Sequence, residues 1–515
     1  TVEESMHTES ISSWFENTCS KWSKKKAITF LRSGETETVL TYSQLGNDVS
    51  GFAETLIERD VAKGDRVLLF LEKSLISVVA HLALQKIGGV TVPLNPGFKK
   101  SEMQYLLKDA DAALVLADEG KGPWIREIDS EVQILELPTR IPYQEAMRFD
   151  SNSRTLFETT HTSEDPGMII YTSGTTGDPK GAVLTQKNLV HDATNVINVW
   201  EINQQDVLCH ALPLFHVHGL CFALHTALLS GVHVMMLDRF DPAKVLNVLA
   251  SKEEGQACTI FMAVPAMYTR LLDAMGDLPR DFLHIRLLTS GSAPLLVKDF
   301  HRIERRFGRQ PVEREGMSET GMNFSNPLKG ERKPGSIGLP LPGLSIRIVN
   351  PDTFADVSSG ENGEIWLKSP SITPGYWRKP KETKDNFENG WFRTGDLGNV
   401  DEDGYYYLTD RIKHIIITGG ENVSAKEVET VINRLDNVVE SAVVGIPDPK
   451  WGEKVVAAVV TERGCDFDPD TIKTFCKEHL HDWKCPKEII FVEEIPRNTM
   501  GKVLKDKVKR IFGEY

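Results

Sequence analysis

Between Tyr171 and Gly181 the chain reads Tyr-Thr-Ser-Gly-Thr-Thr-Gly-Asp-Pro-Lys-Gly, dense in hydroxyls and glycines and ending beside a lysine. Gly174 and Gly177 let backbone N–H groups approach a ligand closely, Ser173, Thr175 and Thr176 add hydroxyl donors, and Lys180 adds a positive charge. Phosphate oxygens are the ligand this combination suits. Ser/Thr/Gly/Pro clusters also make ordinary solvated turns, but three glycines, several hydroxyls and a lysine within eleven residues favour a nucleotide. The loop is not a Walker A, because no G-x-x-x-x-G-K-[ST] spacing occurs.

Other segments carry usable chemistry. Leu212-Pro-Leu-Phe-His-Val-His-Gly219 sets His216 and His218 just past an expected strand end. With no carboxylate or third ligand nearby, H-x-H is a poor zinc site, and packing histidines are the plainer reading. Ser290-Gly-Ser-Ala-Pro294 is a second glycine turn after a strand, where backbone can lie against a flat base. In Glu313-Arg-Glu-Gly-Met-Ser-Glu-Thr320, Ser318 can donate to a phosphate oxygen while Glu319 holds Mg2+. Ser-Glu-Thr alone is equally a helix N-cap signature. Trp391-Phe-Arg-Thr-Gly-Asp-Leu-Gly398 places Asp396 at an expected turn, able to accept from both hydroxyls of a ribose, although a lone aspartate there is more simply a turn former. Pro496-Arg-Asn-Thr-Met-Gly-Lys502 is a basic loop whose lysine, by itself, is a solvated charge.

These loops need strands and helices to aim them. Residues 66–72 read as a buried strand, 77–86 as a helix and 88–94 as the next strand, a βαβ rhythm that recurs at 234–237, 259–262 and 286–289. The pattern predicts an α/β fold built on mainly parallel, helix-covered sheets. From about residue 340 short strands with turns (344–349, 363–368, 404–408) predict a small β-rich subdomain. Beyond 413 the order strand 415–418, helix 425–434, strands 438–445 and 454–461, helix 470–479 and a strand near 489–492 predicts a separate α+β domain.

The chain has 515 residues, a net charge of −14 and an apolar content of 40%. That length implies two or more domains. The charge argues against nucleic acid or an anionic membrane as general partners, so a bound polyanion must meet a local cluster of donors. Seven scattered cysteines without a C-x-x-C pair suit a reducing compartment. No apolar signal core and no run of about 18 apolar residues is present, so a cytoplasmic protein without an integral membrane segment is expected.

Taken in order, segments 171–181, 212–219, 290–295, 315–320, 391–398, 410–429 and 496–503 resemble those of the acyl-adenylate-forming (AMP-binding) superfamily, which includes acyl-CoA synthetases, luciferases and peptide-synthetase adenylation domains. The resemblance covers about residue 150 to the C-terminus. It implies an N-terminal AMP-binding domain over 1–410, with a β-barrel-like subdomain at about 340–410, and a mobile α+β domain over 414–515 hinged at Lys413. It implies the cosubstrates ATP and coenzyme A, Mg2+ and a small carboxylic acid, and leaves the oligomeric state open. Residues 173–180 would close over the β- and γ-phosphates, Ser318 would contact the α-phosphate, and Thr172 and Glu319 would be the metal's ligands. The nucleotide would lie against Ser290, Gly291, Ser292, Ala293, Glu313, Arg314, Glu315, Gly316 and Met317, with Asp396 and Arg411 on its ribose. Lys502, with Glu319, Ser318 and His216, would serve adenylation; Gly419 and Gly420 would approach the pantetheine arm in the thiol step, and Lys413 and Glu421 would be cosubstrate-binding residues. One departure is plain: the family usually has tyrosine where Glu315 stands, and a carboxylate cannot stack on adenine.

Within the superfamily the resemblance is greatest to malonyl-CoA synthetases, on 210–220, 286–295, 322–327 and 497–502. A dicarboxylic acid such as malonate or methylmalonate needs a cation for its distal carboxylate. Arg286, with His216 or His218, is the candidate, and Ser290, Met262, Gly316, Met317 and Met322 complete the expected pocket. Arg286 also has a purely structural reading, and the methionines suit a short- or medium-chain fatty or aromatic acid equally well. An amino-acid-activating enzyme and an inactive nucleotide-binding relative are the remoter alternatives.

Overall fold

The computed structural model describes residues 10–147, 160–172, 178–276, 280–419, 421–465, 467–498 and 501–513. Ser173, Gly174, Thr175, Thr176, Gly177 and Gly420 lie outside the described residues. The chain forms two compact units: Thr1–Gly335 with Pro340–Leu344 and Lys368–Glu388, and Ser336–Leu339 with Ser345–Leu367 and Asn389–Tyr515.

The first unit contains two sheets. In one, strand β1 (Arg66–Phe70) lies parallel to β2 (Val90–Pro93), and β2 lies parallel to β3 (Pro166–Thr172). Strand β4 (Lys180–Thr185) then returns antiparallel to β3 around the glycine-rich segment. Helix α1 (Leu75–Ile87) joins β1 to β2. It is apolar on nearly every face and correspondingly buried, and it stops at Gly88, whose φ of 75° suits only a left-handed cap.

In the other sheet, β5 (Val207–His210), β6 (Ile260–Ala263), β7 (Leu287–Ser290) and β8 (Val312–Met317) are parallel neighbours in that order. The residues of β5, β6 and β7 are buried throughout, which is why these strands read as largely apolar runs without alternation, whereas β8 carries charged residues and is half-buried over its last three. Strand β9 (Gly321–Ser325) turns back antiparallel on β8. The Ser318-Glu319-Thr320 segment is therefore a hairpin turn between two strands, and its helix N-cap reading is corrected.

In the second unit, β10 (Gly363–Lys368), β11 (Trp391–Val400) and β12 (Tyr406–Arg411) form an antiparallel sheet. Asp396 sits inside β11 rather than at a turn, directly opposite Arg411. Beyond a 3-10 turn over Ile412–His414, strands Ile415–Thr418, Glu421–Ser424, Val438–Asp448, Gly452–Thr461 and Glu488–Phe491 build the last sheet. Helices Ala425–Ile432 and Pro469–His479 cover an apolar core of valines and isoleucines on one face, while Val508 of helix Lys505–Ile511 joins the cluster on the other. The whole is the mixed α/β architecture that the pattern predicts, with a large parallel-sheet region and a separate C-terminal domain.

Candidate active site

The parallel strands β5, β6 and β7 end together at His210, Ala263 and Ser290. Ligands of open α/β sheets gather outside these carboxyl ends. From β5 the chain folds back so tightly that a Cβ on Gly219 would lie 1.9 Å from the Pro213 carbonyl oxygen. It then enters a wide-turn π-helix over His218–His225, a rare form concentrated at functional sites. His218 lies within hydrogen-bond distance of Ser292, with Nδ1 to Oγ at 3.0 Å. Burial drives both imidazoles toward neutrality: His216 is pushed down to about 4, and His218 well below its usual value with Arg314 adding to the effect. Nε2 of each has no hydrogen-bond partner among the described residues.

Arg314 lies at the centre of this group. Its guanidinium packs against the α-carbon of Gly291, where a Cβ would meet Cζ at 2.3 Å, and it stands 4.9 Å from the Phe222 ring centroid. Only glycine in the Ser-Gly-Ser turn admits it. Nε and Nη2 are buried and have no hydrogen-bond partner among the described residues, and neither does the Ser290 hydroxyl. Those two nitrogens form one edge of the planar fork, the edge that binds a carboxylate through two parallel hydrogen bonds. Desolvation lowers Arg314 to about 10, against the raising influence of Glu315 and Asp192. Buried Asp192 is itself raised to about 7 by desolvation while accepting the Met322 amide at 2.8 Å.

Glu319 ends the β8 segment in a buried turn. Its Oε1 accepts the Tyr376 hydroxyl at 3.0 Å, and Oε2 accepts no hydrogen bond from the described residues. No group of three or more acidic, histidine or cysteine side chains able to hold a metal occurs among the described residues. A hard cation here would take one protein carboxylate and draw its remaining oxygens from phosphates and water, which is how Mg2+ is commonly bound beside a nucleotide. The residues fit Mg2+ on those terms. Thr172 closes β3, its hydroxyl donating to the Lys180 carbonyl at 3.3 Å, and Glu315 accepts from Asn323 at 2.9 Å. Glu313 is occupied structurally, accepting the Gly335 amide at 2.8 Å.

Arg286 does not join this site. It stands at the amino end of β7, whereas His210, Ala263 and Ser290 mark the carboxyl ends of the neighbouring strands. Its guanidinium grips Asp206 through two contacts of 2.7 Å and donates to the Trp200 and Glu201 carbonyls at 2.9 and 3.1 Å. With its fork so occupied it ties two loops together, and the expectation that it reads the substrate is corrected. Met262 and Met322 are buried wall residues, while Met317 and Gly316 are half-buried near the hairpin turn.

The second unit brings its own set together. Arg411 Nε pairs with Asp396 Oδ1 at 2.8 Å. Burial raises the Asp396 carboxyl, and Arg411, then Lys502, Lys413 and Lys426, oppose that rise. Lys502 is presented by a tight turn in which Asn498 Oδ1 accepts its amide at 2.9 Å and Gly501 takes a φ of 79°. Lys413 occupies the 3-10 turn, and Gly419 and Glu421 flank the tip of a hairpin. Gly419 packs on the indole of Trp451.

Three participants escaped the sequence reading. Asp192 lies on helix α2 (Gln186–Val199), and nothing local in the sequence singles it out. Lys73 donates to His210 Nδ1 at 2.9 Å, and His210 Nε2 donates to the Gly219 carbonyl at 2.7 Å, so a lysine from the other sheet steadies the histidine loop. Burial pushes Lys73 down to about 7. Tyr376 is the third, and only tertiary contact connects it to Glu319.

Residues 15–377 match the AMP-binding enzyme family, and residues 427–502 match the AMP-binding enzyme C-terminal domain. The chain belongs to the AMP-binding enzyme family. The mitochondrial malonate–CoA ligase ACSF3 of Mus musculus is 36% identical over 483 residues, covering 87% of this chain and 82% of that protein. A sulfoacetate–CoA ligase of Cupriavidus necator is 33% identical, covering 93% and 94%. The ATP-bound crystal structure of MatB from Rhodopseudomonas palustris is similar with a TM-score of 0.89 at 36% identity, covering 97% of this chain and 99% of that one. Within the family this chain is an acid–CoA ligase of the AMP-forming kind, resembling malonyl-CoA synthetase.

Proposed function

We propose that the acid activated here is a short dicarboxylate such as malonate or methylmalonate. The observation that carries this reading is the unpartnered, buried Nε/Nη2 edge of Arg314. Glu315 and Asp192 favour the charge from nearby, but a desolvated guanidinium edge with no hydrogen-bond acceptor is costly, and an anionic ligand there removes the cost. His218 and Ser290 flank the same space as neutral donors or acceptors for the distal carboxylate. Relatives named for malonate and sulfoacetate support it, since both acids carry a second acidic group.

The chemistry has two halves. The acid's reacting carboxylate attacks the α-phosphorus of ATP, forming the acyl-adenylate as pyrophosphate leaves. The thiol of coenzyme A then attacks the acyl carbon and AMP leaves, giving the thioester. In the first half two anions must meet, so Lys502 and Lys180 offset the charge that develops on the phosphates. Glu319, with Thr172, would hold Mg2+, which when bound would supply further charge neutralisation. Asp396 and Arg411 hold the ribose. Lys502 is needed only for adenylation, so a C-terminal domain turning about Lys413 can carry it away and bring the Gly419 hairpin in for the thiol step. The free state of all seven cysteines supports a reducing, cytoplasm-like setting. No helix among the described residues is long and apolar enough to cross a membrane.

The test is pyrophosphate release with ATP, Mg2+ and coenzyme A across malonate, methylmalonate, butyrate, octanoate, benzoate and several amino acids. Preference for the dicarboxylates supports the reading. Preference for butyrate, octanoate or benzoate would replace it with the fatty or aromatic acid reading, and an amino-acid winner with an aminoacyl one. No release with any acid would point to an inactive relative.

A further inference from the structure

Tyr376 belongs to a segment that none of the chemistry-bearing motifs includes, yet it touches two of them. Residues Thr373–Trp377 lie along β4 as an added edge. The Val183 amide donates to the Gly375 carbonyl at 3.1 Å, the Trp377 amide donates to the Gly181 carbonyl at 2.8 Å, and Tyr376 bridges Ala182. The Thr373 amide donates to the Glu319 carbonyl at 2.7 Å, so the same segment grips the Glu319 backbone. From this edge the Tyr376 side chain, 7% exposed, reaches both charges. Its hydroxyl donates to Glu319 Oε1 at 3.0 Å, and the Lys180 ammonium lies 5.0 Å from its ring centroid.

We propose that Tyr376 is a positioning residue that sets the Glu319 carboxylate for the cation and seats Lys180 for the phosphates. The hydroxyl occupies Oε1 and fixes the carboxylate plane, which leaves Oε2 for the metal. A tyrosine hydroxyl carries its proton at neutral pH, so it donates and adds no second negative charge. The ring face attracts the Lys180 ammonium and limits its swing. A phenol between a lysine and a carboxylate keeps the two apart, so neither is neutralised by the other before the nucleotide arrives. The inference rests on the reading of Glu319 as the cation's ligand.

The experiment compares wild type with Tyr376→Phe, Tyr376→Leu and Glu319→Gln. Two quantities are read: equilibrium ATP binding by calorimetry in EDTA and in Mg2+, and the Mg2+ concentration giving half-maximal pyrophosphate release. Losing a partner that orients a metal ligand typically costs about 10- to 100-fold in metal affinity. Tyr376→Phe should therefore raise the Mg2+ half-saturation about tenfold while leaving ATP binding in EDTA unchanged. Tyr376→Leu should add a several-fold loss of ATP affinity in EDTA, because Lys180 loses its platform. Wild-type Mg2+ dependence in Tyr376→Phe, with Glu319→Gln strongly shifted, overturns the proposal for Tyr376 alone. Unshifted Glu319→Gln overturns the underlying reading of Glu319. Equal ATP binding in EDTA by the Phe and Leu variants overturns the part that concerns Lys180.

Discussion

Replacing Arg314 by methionine keeps much of the side-chain volume against Gly291 and Phe222 and removes the charge. Removing one partner of a buried, hydrogen-bonded charge pair costs about 2–5 kcal/mol, much of it from leaving the other charge unpaired. For malonate that corresponds to a loss of about 30- to 5,000-fold in kcat/KM. Butyrate should respond in the opposite direction, since it leaves the wild-type guanidinium unpaired and meets an apolar wall in the variant. Without substrate the variant should be as stable as wild type or more so, because replacing buried charge by a packed apolar chain is often neutral or favourable by about 1–4 kcal/mol. Asp192, deprived of a nearby cation, would simply stay protonated to higher pH. The assay is steady-state pyrophosphate release with both acids, beside thermal melting of the apoenzyme. Equal loss for malonate and butyrate with a lower melting temperature would refute the argument and make Arg314 a structural residue.

Arg286→Ala should leave the ratio of malonate to butyrate activity unchanged while lowering stability by about 3 kcal/mol, since it strands buried Asp206; denaturant unfolding and the same acid panel check both halves. Lys502→Ala should reduce adenylation by two orders of magnitude or more and nearly spare thioester formation from preformed acyl-AMP, so equal loss of both steps would sink its assignment. Asp192 is a carboxyl whose folded value, about 7, lies above the ordinary 3.8. The folded chain keeps a proton that the unfolded chain gives up, so its contribution to stability falls as pH rises from about 4 to 7 and levels off above. Asp192→Asn should remove that part of the slope in melting experiments between these pH values, while its side-chain oxygen still accepts the Met322 amide.

Much of this arrangement was legible in residue order, for reasons that differ from element to element. Buried parallel strands such as Leu287–Ser290 read as apolar runs because both faces are covered, and the predicted strands at 66–72, 286–289 and 415–418 fall within a residue or two of those formed. Asp396 and Arg411 were each visible as charges in characteristic segments. Their 2.8 Å pairing required an antiparallel register that local sequence does not encode. Ser318-Glu319-Thr320 looked like a helix start because hydroxyl–carboxylate spacing is shared by N-caps and tight turns. Only the return of Gly321–Ser325 along Val312–Met317 makes it a hairpin.

By itself, then, the order of side chains was enough to determine the family and the α/β architecture, because these depend on hydrophobic periodicity and on contiguous loops. Which arginine keeps an open edge for an acid was decided by tertiary structure. Arg286 precedes the glycine turn in sequence and Arg314 follows in a later segment, and charge alone cannot rank them. One stands at the amino end of its strand with its fork filled by Asp206, while the other lies under Gly291 with one edge open. The same holds for Tyr376 and Lys73, whose partners lie 57 and 137 residues away and are brought within hydrogen-bond reach only when the sheets have packed.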